Sequence, residues 1–388
     1  AVRTLIDSPS AARLRTVHVL EASSVVGGRL VACAPPSSAA KPAPGGMRSR
    51  AHTLSNAKPG IDLGGAWSWT NDKNVRRLAR ELDVDTLEQP WEGKIVTLEA
   101  GQKYFEDANF GESPSGPGAV RFLNGGAAQI AEKLYADIQD LRASNKVEWH
   151  FNTSISALGH LPETDEMEVL LSDDSTITCL AVVLCCPPAA AAKIEMHPPL
   201  SPQRLNALES CQTWMSAVLK FTVIYKTPFW RDEDLSGYAC INFEQDDESH
   251  IVECCWDNTD CQTFALAGFA RPPKGDEDEE TTKSRIFTDL ELLLGEKAKT
   301  GRMEFKNWSK AMFNVEVPGE KKQHRNYGHA LLKQPHARRV IFGGTETENE
   351  NGHMEGAIIS GRRAANEAYT VMLGKRSLNK DELGNSYK

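Results

Sequence analysis

The chain has 388 residues, 40% of them hydrophobic, enough for two ordinary domains or one large one around a sizeable core. A net charge of −9 excludes the basic footprint of a nucleic-acid or anionic-membrane binder. The nine cysteines contain no C-x-x-C pair, so neither a zinc site nor a disulfide framework is expected, and a reducing, cytoplasmic setting is. No apolar run is long enough to span a bilayer; CLAVVLCCPPAAAA (179–192) is broken by Pro187 and Pro188 and reads as a buried strand with an exit loop. Oligomeric state is not legible from these quantities.

Residues 1–16 read as the latter part of a helix interrupted between Asp7 and Ser10, feeding a short apolar strand that ends on Glu21. In a dinucleotide-binding βαβ unit, an acid at the end of the second strand accepts hydrogen bonds from a ribose hydroxyl, about twenty residues after a glycine-rich turn. Counting back from Glu21 reaches the first residue, so no G-x-G-x-x-G turn falls within the chain. Glu21 reads either as that acid or as a surface carboxylate after an edge strand. Gly27, Gly28 and Arg29 follow it; paired glycines let backbone approach a phosphate or a ring, and Arg29 sets a cation nearby.

The Pro-, Ala- and Ser-rich stretch at 31–50 is expected to be an exposed loop. Order resumes at IDLGGAWSW (61–69), followed by helices over 74–84 and 127–141. KVEWHF (146–151), MEVLLS (167–172) and ITCLAVVLCC (177–186) read as strands. So does SAVLKFTVIY (216–225), with Lys220 inside an apolar run. A buried lysine is costly without a partner or a purpose. Alternation equally permits a solvent-facing lysine, because Val218, Lys220 and Thr222 share one side. The acidic run at 272–283 reads as a solvated loop before a helix over 285–298. A last strand, RRVIFGG (338–344), leads to a helix over 354–373. Strands alternate with helices at both ends around a more mixed middle, which predicts an α/β sheet assembled from distant segments with a second domain inserted. His324, His329 and His336 are irregularly spaced and read as surface residues, so no metal is expected.

VHVLEASSVVGGRL (17–30), IDLGGAW (61–67), VRFLNGGAAQIAEKL (120–134), SAVLKFTVIYKTPFWR (216–231), KNW (306–308) and the block at 338–368 stand in an order that resembles the FAD-dependent amine oxidases, the monoamine oxidase, polyamine oxidase and lysine-demethylase group. The resemblance implies a Rossmann-like FAD-binding domain over 1–82, 119–208 and 334–375, an inserted mixed α+β substrate domain over 83–118 and 209–333, and a polar tail over 376–388. It implies that FAD is held by Glu21 at a ribose, by Gly27, Gly28 and Arg29, and by Gly64, Gly65, Ala66 and Trp67 beside the flavin. Ser154, Gly344, Thr345 and Glu346 join these contacts, and Met354 and Ala357 open a helix whose N–H groups face the flavin's pyrimidine edge.

Three residues carry the implied chemistry. Lys220 holds a water near flavin N5, Trp308 packs beside the ring, and His353 stands where one tyrosine of the family's aromatic pair belongs. Phe313 could replace the other. The short 309–319 loop lacks the cysteine that some members use to attach FAD, so noncovalent binding is expected. The implied reaction is oxidative deamination of a small-molecule amine with O2. The alternatives are an FAD oxidoreductase acting on amino acids or carbon–carbon bonds, and a non-catalytic scaffold whose affinity for FAD suffers from the absent glycine turn.

Overall fold

The computed structural model describes residues 1–8, 11, 14–33, 60–107, 118–140, 146–213, 216, 218–241, 251–260, 263–273, 275, 277–311, 326–349 and 352–373. The greater part of the expected loop at 31–50, Phe313, His324 and the tail at 376–388 lie outside these residues. The chain divides into two compact units. The first comprises Ala1–Gly28, Glu132–Ser216 and Met312–Lys388; the second comprises Arg29–Ala131 and Ala217–Ala311. By contact, 29–82 and 119–131 thus group with 217–311.

The first unit contains the parallel pairings that alternating strands and helices predict. Strand Val17–Glu21 runs beside Val147–Phe151, with Glu21 opposite Phe151. Strand Val182–Leu184 runs beside Val340–Phe342. Helix Met354–Met372 buries Gly356, Ser360, Gly361, Ala364, Ala365 and Ala368 at helical spacing. These small side chains let the helix axis approach a core of Leu5, Ile6, Ile138 and Ile341 closely. The run ITCLAVVLCC, expected as one strand, is two. Thr176–Cys179 pairs antiparallel with Glu166–Leu171, whereas Val182–Leu184 joins the parallel pair. Between them the chain changes sheets: Leu180 is 45% exposed, its carbonyl accepts from Arg339, and the N–H of Val182 donates to the Arg339 carbonyl. An uninterrupted apolar run conceals such a break.

The second unit is built on a seven-stranded sheet in the order Arg302–Asn307, Leu219–Tyr225, Phe264–Ala270, Ile251–Asp257, Leu235–Ile241, Lys94–Glu99 and Gln102–Asp107. Its described pairings are antiparallel except Leu235–Ile241 with Lys94–Glu99. One side of the Leu219–Tyr225 strand places Leu219, Phe221, Val223 and Tyr225 in a core with Trp230, Ile286, Leu290 and Leu293. Each such side chain contributes about 1.5–3 kcal/mol by leaving water. Helix Glu279–Leu294 starts earlier than its apolar pattern, because Asp278 caps it by accepting from the Thr281 N–H and Glu279 and Glu280 oppose the helix dipole in the first turn. Part of the expected acidic loop is therefore helix. No described helix is long and apolar enough to cross a membrane.

Candidate functional site

In the second unit, the Lys220 strand is buried on both sides, and Lys220 itself is 1% exposed. Its Nζ donates to the Gly64 carbonyl at 2.6 Å and lies 4.8 Å from the centre of the Trp67 ring. Neighbouring strand Arg302–Asn307, which pairs with Leu219–Tyr225, ends at Trp308. The Trp308 indole donates to the Leu63 carbonyl at 2.7 Å. Two consecutive carbonyls of the 62–67 segment are thus gripped by a cation and an indole brought side by side through strand pairing. Lys220, Trp308, Gly64 and Trp67, singled out separately in the sequence, come together here.

Gly64 is required by backbone contact: a Cβ there would fall 2.1 Å from the Arg29 carbonyl oxygen. That same carbonyl accepts from the Gly65 N–H at 3.1 Å, and the Leu63 N–H donates to Val31 at 2.8 Å. Arg29 and the paired glycines therefore meet through main chain. Ala66 is buried, and Trp67 stacks near Trp69 with 3° between the planes and tilts against Trp256.

Two functional candidates escaped the sequence reading. Asp62, 6% exposed, accepts from the Ala127 N–H at 2.9 Å. Burial pushes its carboxyl upward to about 7, with the Lys220 charge opposing that rise. Burial likewise lowers Lys220 to about 8, with Asp62 opposing the fall. The pair therefore sits near neutrality, where each partner's charge supports the other's. Arg121, also buried, donates to Gln89 at 3.0 Å, to the Asn258 carbonyl at 3.0 Å and to the Thr259 carbonyl. With Asp62, Asn258, Asp260 and Thr263 it lines a polar cleft. The available signal was an aspartate in an apolar run just before paired glycines, IDLGG, and an arginine inside VRF.

In the first unit, the strands of the parallel pairs deliver candidate residues from their carboxyl ends, the usual position of ligand groups in open α/β sheets. Glu21 ends its strand because its Oε1 accepts from both the N–H and the hydroxyl of Ser23, each at 2.8 Å, turning the chain. Gly27 and Gly28 then adopt φ of 120° and 56°. A Cβ on Gly28 would meet nothing within 4 Å, so the left-handed backbone demands glycine there, and the space beside it is open. Ser154 follows the partner strand and exchanges hydrogen bonds with Ser172.

Past Val340–Phe342, Gly344 has φ of 95° and starts a 3-10 turn holding buried Thr345 and Glu346. The Thr345 hydroxyl donates to the His353 carbonyl at 2.7 Å, tying this turn to the start of helix Met354–Met372. His353 is half-buried at the N-cap. The Ala357 N–H donates back to the His353 carbonyl at 3.3 Å, so the N–H groups that helix geometry directs outward are those of Met354 through Gly356. The strand-end carboxylate offers acceptors for a ribose hydroxyl, and the N-terminus of the 19-residue helix offers N–H donors for an anionic edge; this chemistry fits a flavin nucleotide.

Comparison with known proteins gives the family. The family model described as flavin containing amine oxidoreductase matches residues 112–368. Flavin-containing amine oxidase B of Cavia porcellus is 31% identical over 274 residues, which is 67% of this chain and 49% of that protein. Flavin-containing amine oxidase A of Equus caballus is 30% identical over 272 residues, covering 66% of this chain and 48% of its own. The chain spans about half the length of these curated relatives. Among solved structures, cyclohexylamine oxidase from Brevibacterium oxydans IH-35A superposes with a TM-score of 0.69 at 16% identity, over 91% of this chain and 93% of that one. Wild-type putrescine oxidase bound to putrescine gives 0.69 at 17% identity over the same shares. These likenesses show the α/β fold of the flavin amine oxidases, and the family model's match over more than half of its length establishes that the chain belongs to the flavin containing amine oxidoreductase family.

Proposed function

We propose that this protein is an FAD-dependent amine oxidase that converts R–CH2–NH2, O2 and water into an aldehyde, ammonia and H2O2, with FAD bound noncovalently. The observation that carries the reading is Lys220: a cation with 1% exposure, on a fully buried strand, anchored to the glycine pair of a family-matched chain. Bound FAD would supply the redox chemistry, accepting a hydride equivalent from the amine's α-carbon and passing both electrons to O2.

The chain's own residues bind, orient and manage protons. Glu21 accepts from the adenosine ribose, while Gly28 and the turn from Gly344 to Glu346 allow close backbone approach to the phosphates and the ribityl chain. The N–H groups from Met354 to Gly356 would stabilise negative charge on the pyrimidine edge, supported by the helix dipole. Lys220 commits one N–H to Gly64 and keeps two more to hold a water and deliver a proton as O2 is reduced. Trp308, clamped on Leu63, fixes the segment that carries Gly64 and acts as a positioning residue. On Glu21 and the 344–357 segment we assign the Rossmann-like, FAD-binding role to the first unit, and we assign the substrate-domain role to the second.

The test is direct. Purified full-length protein mixed with FAD and passed through a desalting column should retain blue-absorbing flavin, and a primary amine should bleach it anaerobically. Aerobic turnover should release H2O2 in proportion to aldehyde. Protein that emerges colourless after FAD addition overturns the proposal.

A further inference from the structure

The first unit carries a cluster that its proposed flavin chemistry does not use. His18 stands on strand Val17–Glu21; Glu148 and His150 stand on Val147–Phe151. Residues two apart on a strand share a side, so Glu148 and His150 point the same way, and the parallel register sets His18 opposite Glu148 with Leu20 opposite His150. His18 is three residues before Glu21 and therefore faces away from it. The His18 Nδ1 lies 3.1 Å from the His150 Nε2 and 3.3 Å from the Glu148 Oε2. All three ligand atoms fall within 4.8 Å of one another. The His18 and Glu148 side chains are 29% and 57% exposed, so an ion can reach them.

These separations have a metal-site value. Tetrahedral zinc with Zn–N and Zn–O bonds of about 2.0–2.2 Å places neighbouring ligand atoms about 3.3–3.5 Å apart. Two of the three edges already stand within a few tenths of an ångström of that, across residues 132 positions apart in the chain. A single proton can satisfy only one of the two contacts at His18 Nδ1, whereas a cation satisfies all three donor atoms at once. Two imidazoles and one carboxylate are borderline ligands suited to zinc and its first-row neighbours rather than to calcium or magnesium.

We propose that His18, Glu148 and His150 form a binding site for a divalent transition-metal ion of the zinc class, clamping strand Val17–Glu21 to Val147–Phe151 and leaving a fourth position to water. The site is distinct from the residues assigned to flavin, so its test reads binding, independent of amine oxidation.

Chelator-treated full-length protein, with its cysteines kept reduced, is titrated with Zn2+ by calorimetry and with Co2+ by visible absorption. The expected result is one saturable ion per chain and the intense bands of tetrahedral Co2+ without thiolate charge transfer. His18→Gln and His150→Gln should each weaken binding by about 10-fold or more. His160→Gln, which alters a separate histidine paired with Asp165, should leave it unchanged. Should the histidine variants fail to fold, as read by far-UV circular dichroism, the cobalt spectrum of the unaltered protein still decides. Thiolate charge-transfer bands, a weak octahedral spectrum, or binding that survives both histidine substitutions would each overturn the site.

Discussion

The two candidate regions solve opposite problems. Around Lys220, charge is placed where water is excluded: Lys220, Asp62 and Arg121 are each at most 6% exposed, and backbone carbonyls and N–H groups hold them. Around Glu21, the carboxylate and both glycines lie at or near the surface, and the geometry is made by a local turn through Ser23. A buried charged cluster must be specified by its surroundings on every side, whereas an exposed turn needs only its own few residues. Tolerance to substitution should therefore differ sharply between the two.

The largest effect is expected at Gly64. Gly64→Ala forces a Cβ to 2.1 Å from the Arg29 oxygen, backbone against backbone, and should cost more than about 3 kcal/mol in denaturant unfolding. Gly28→Ala meets open space and pays only for its left-handed φ, about 1–2 kcal/mol by the same measurement. Ser23→Ala removes the exposed hydroxyl bonds to Glu21 and to the Val25 carbonyl, leaves the Ser23 backbone N–H on Glu21, and should cost about 0.5–1 kcal/mol. Equal losses at the two glycines would dissolve the contrast between the regions.

A pH profile sharpens the same contrast. Burial lowers Lys220 to about 8, so a step that needs its ammonium should weaken as pH rises through that value, well below an ordinary lysine. Asp62 raises the Lys220 pKa through its charge. Asp62→Asn should accordingly move the midpoint further toward acid in the pH dependence of flavin reoxidation, and Glu21→Gln should leave it in place. A midpoint that ignores Asp62 would remove that carboxylate as the charge that supports the Lys220 ammonium.

What the sequence disclosed follows the same division. Locally encoded features were legible: the strand ending on Glu21 and the helix from Met354 are each written within a few consecutive residues. Features that depend on what covers a face were not. Period-two alternation left Lys220 open to solvent or core, and only packing on both sides of its strand decides for burial. Asp62 looked like one acid in an apolar run because its Lys220 partner is 158 positions further along the chain. The His18 and His150 contact joins strands that the pattern identified singly and could not pair. The break at Leu180 vanished inside continuous hydrophobicity for a similar reason.

The central claim is that Lys220 is a working cation of a flavin amine oxidase. Stopped-flow absorption of photoreduced, FAD-loaded protein mixed with O2 tests it most directly, in the unaltered chain and in Lys220→Met. The account predicts reoxidation slower by about 10-fold or more in the variant, with flavin still bound. An unchanged reoxidation rate would contradict it.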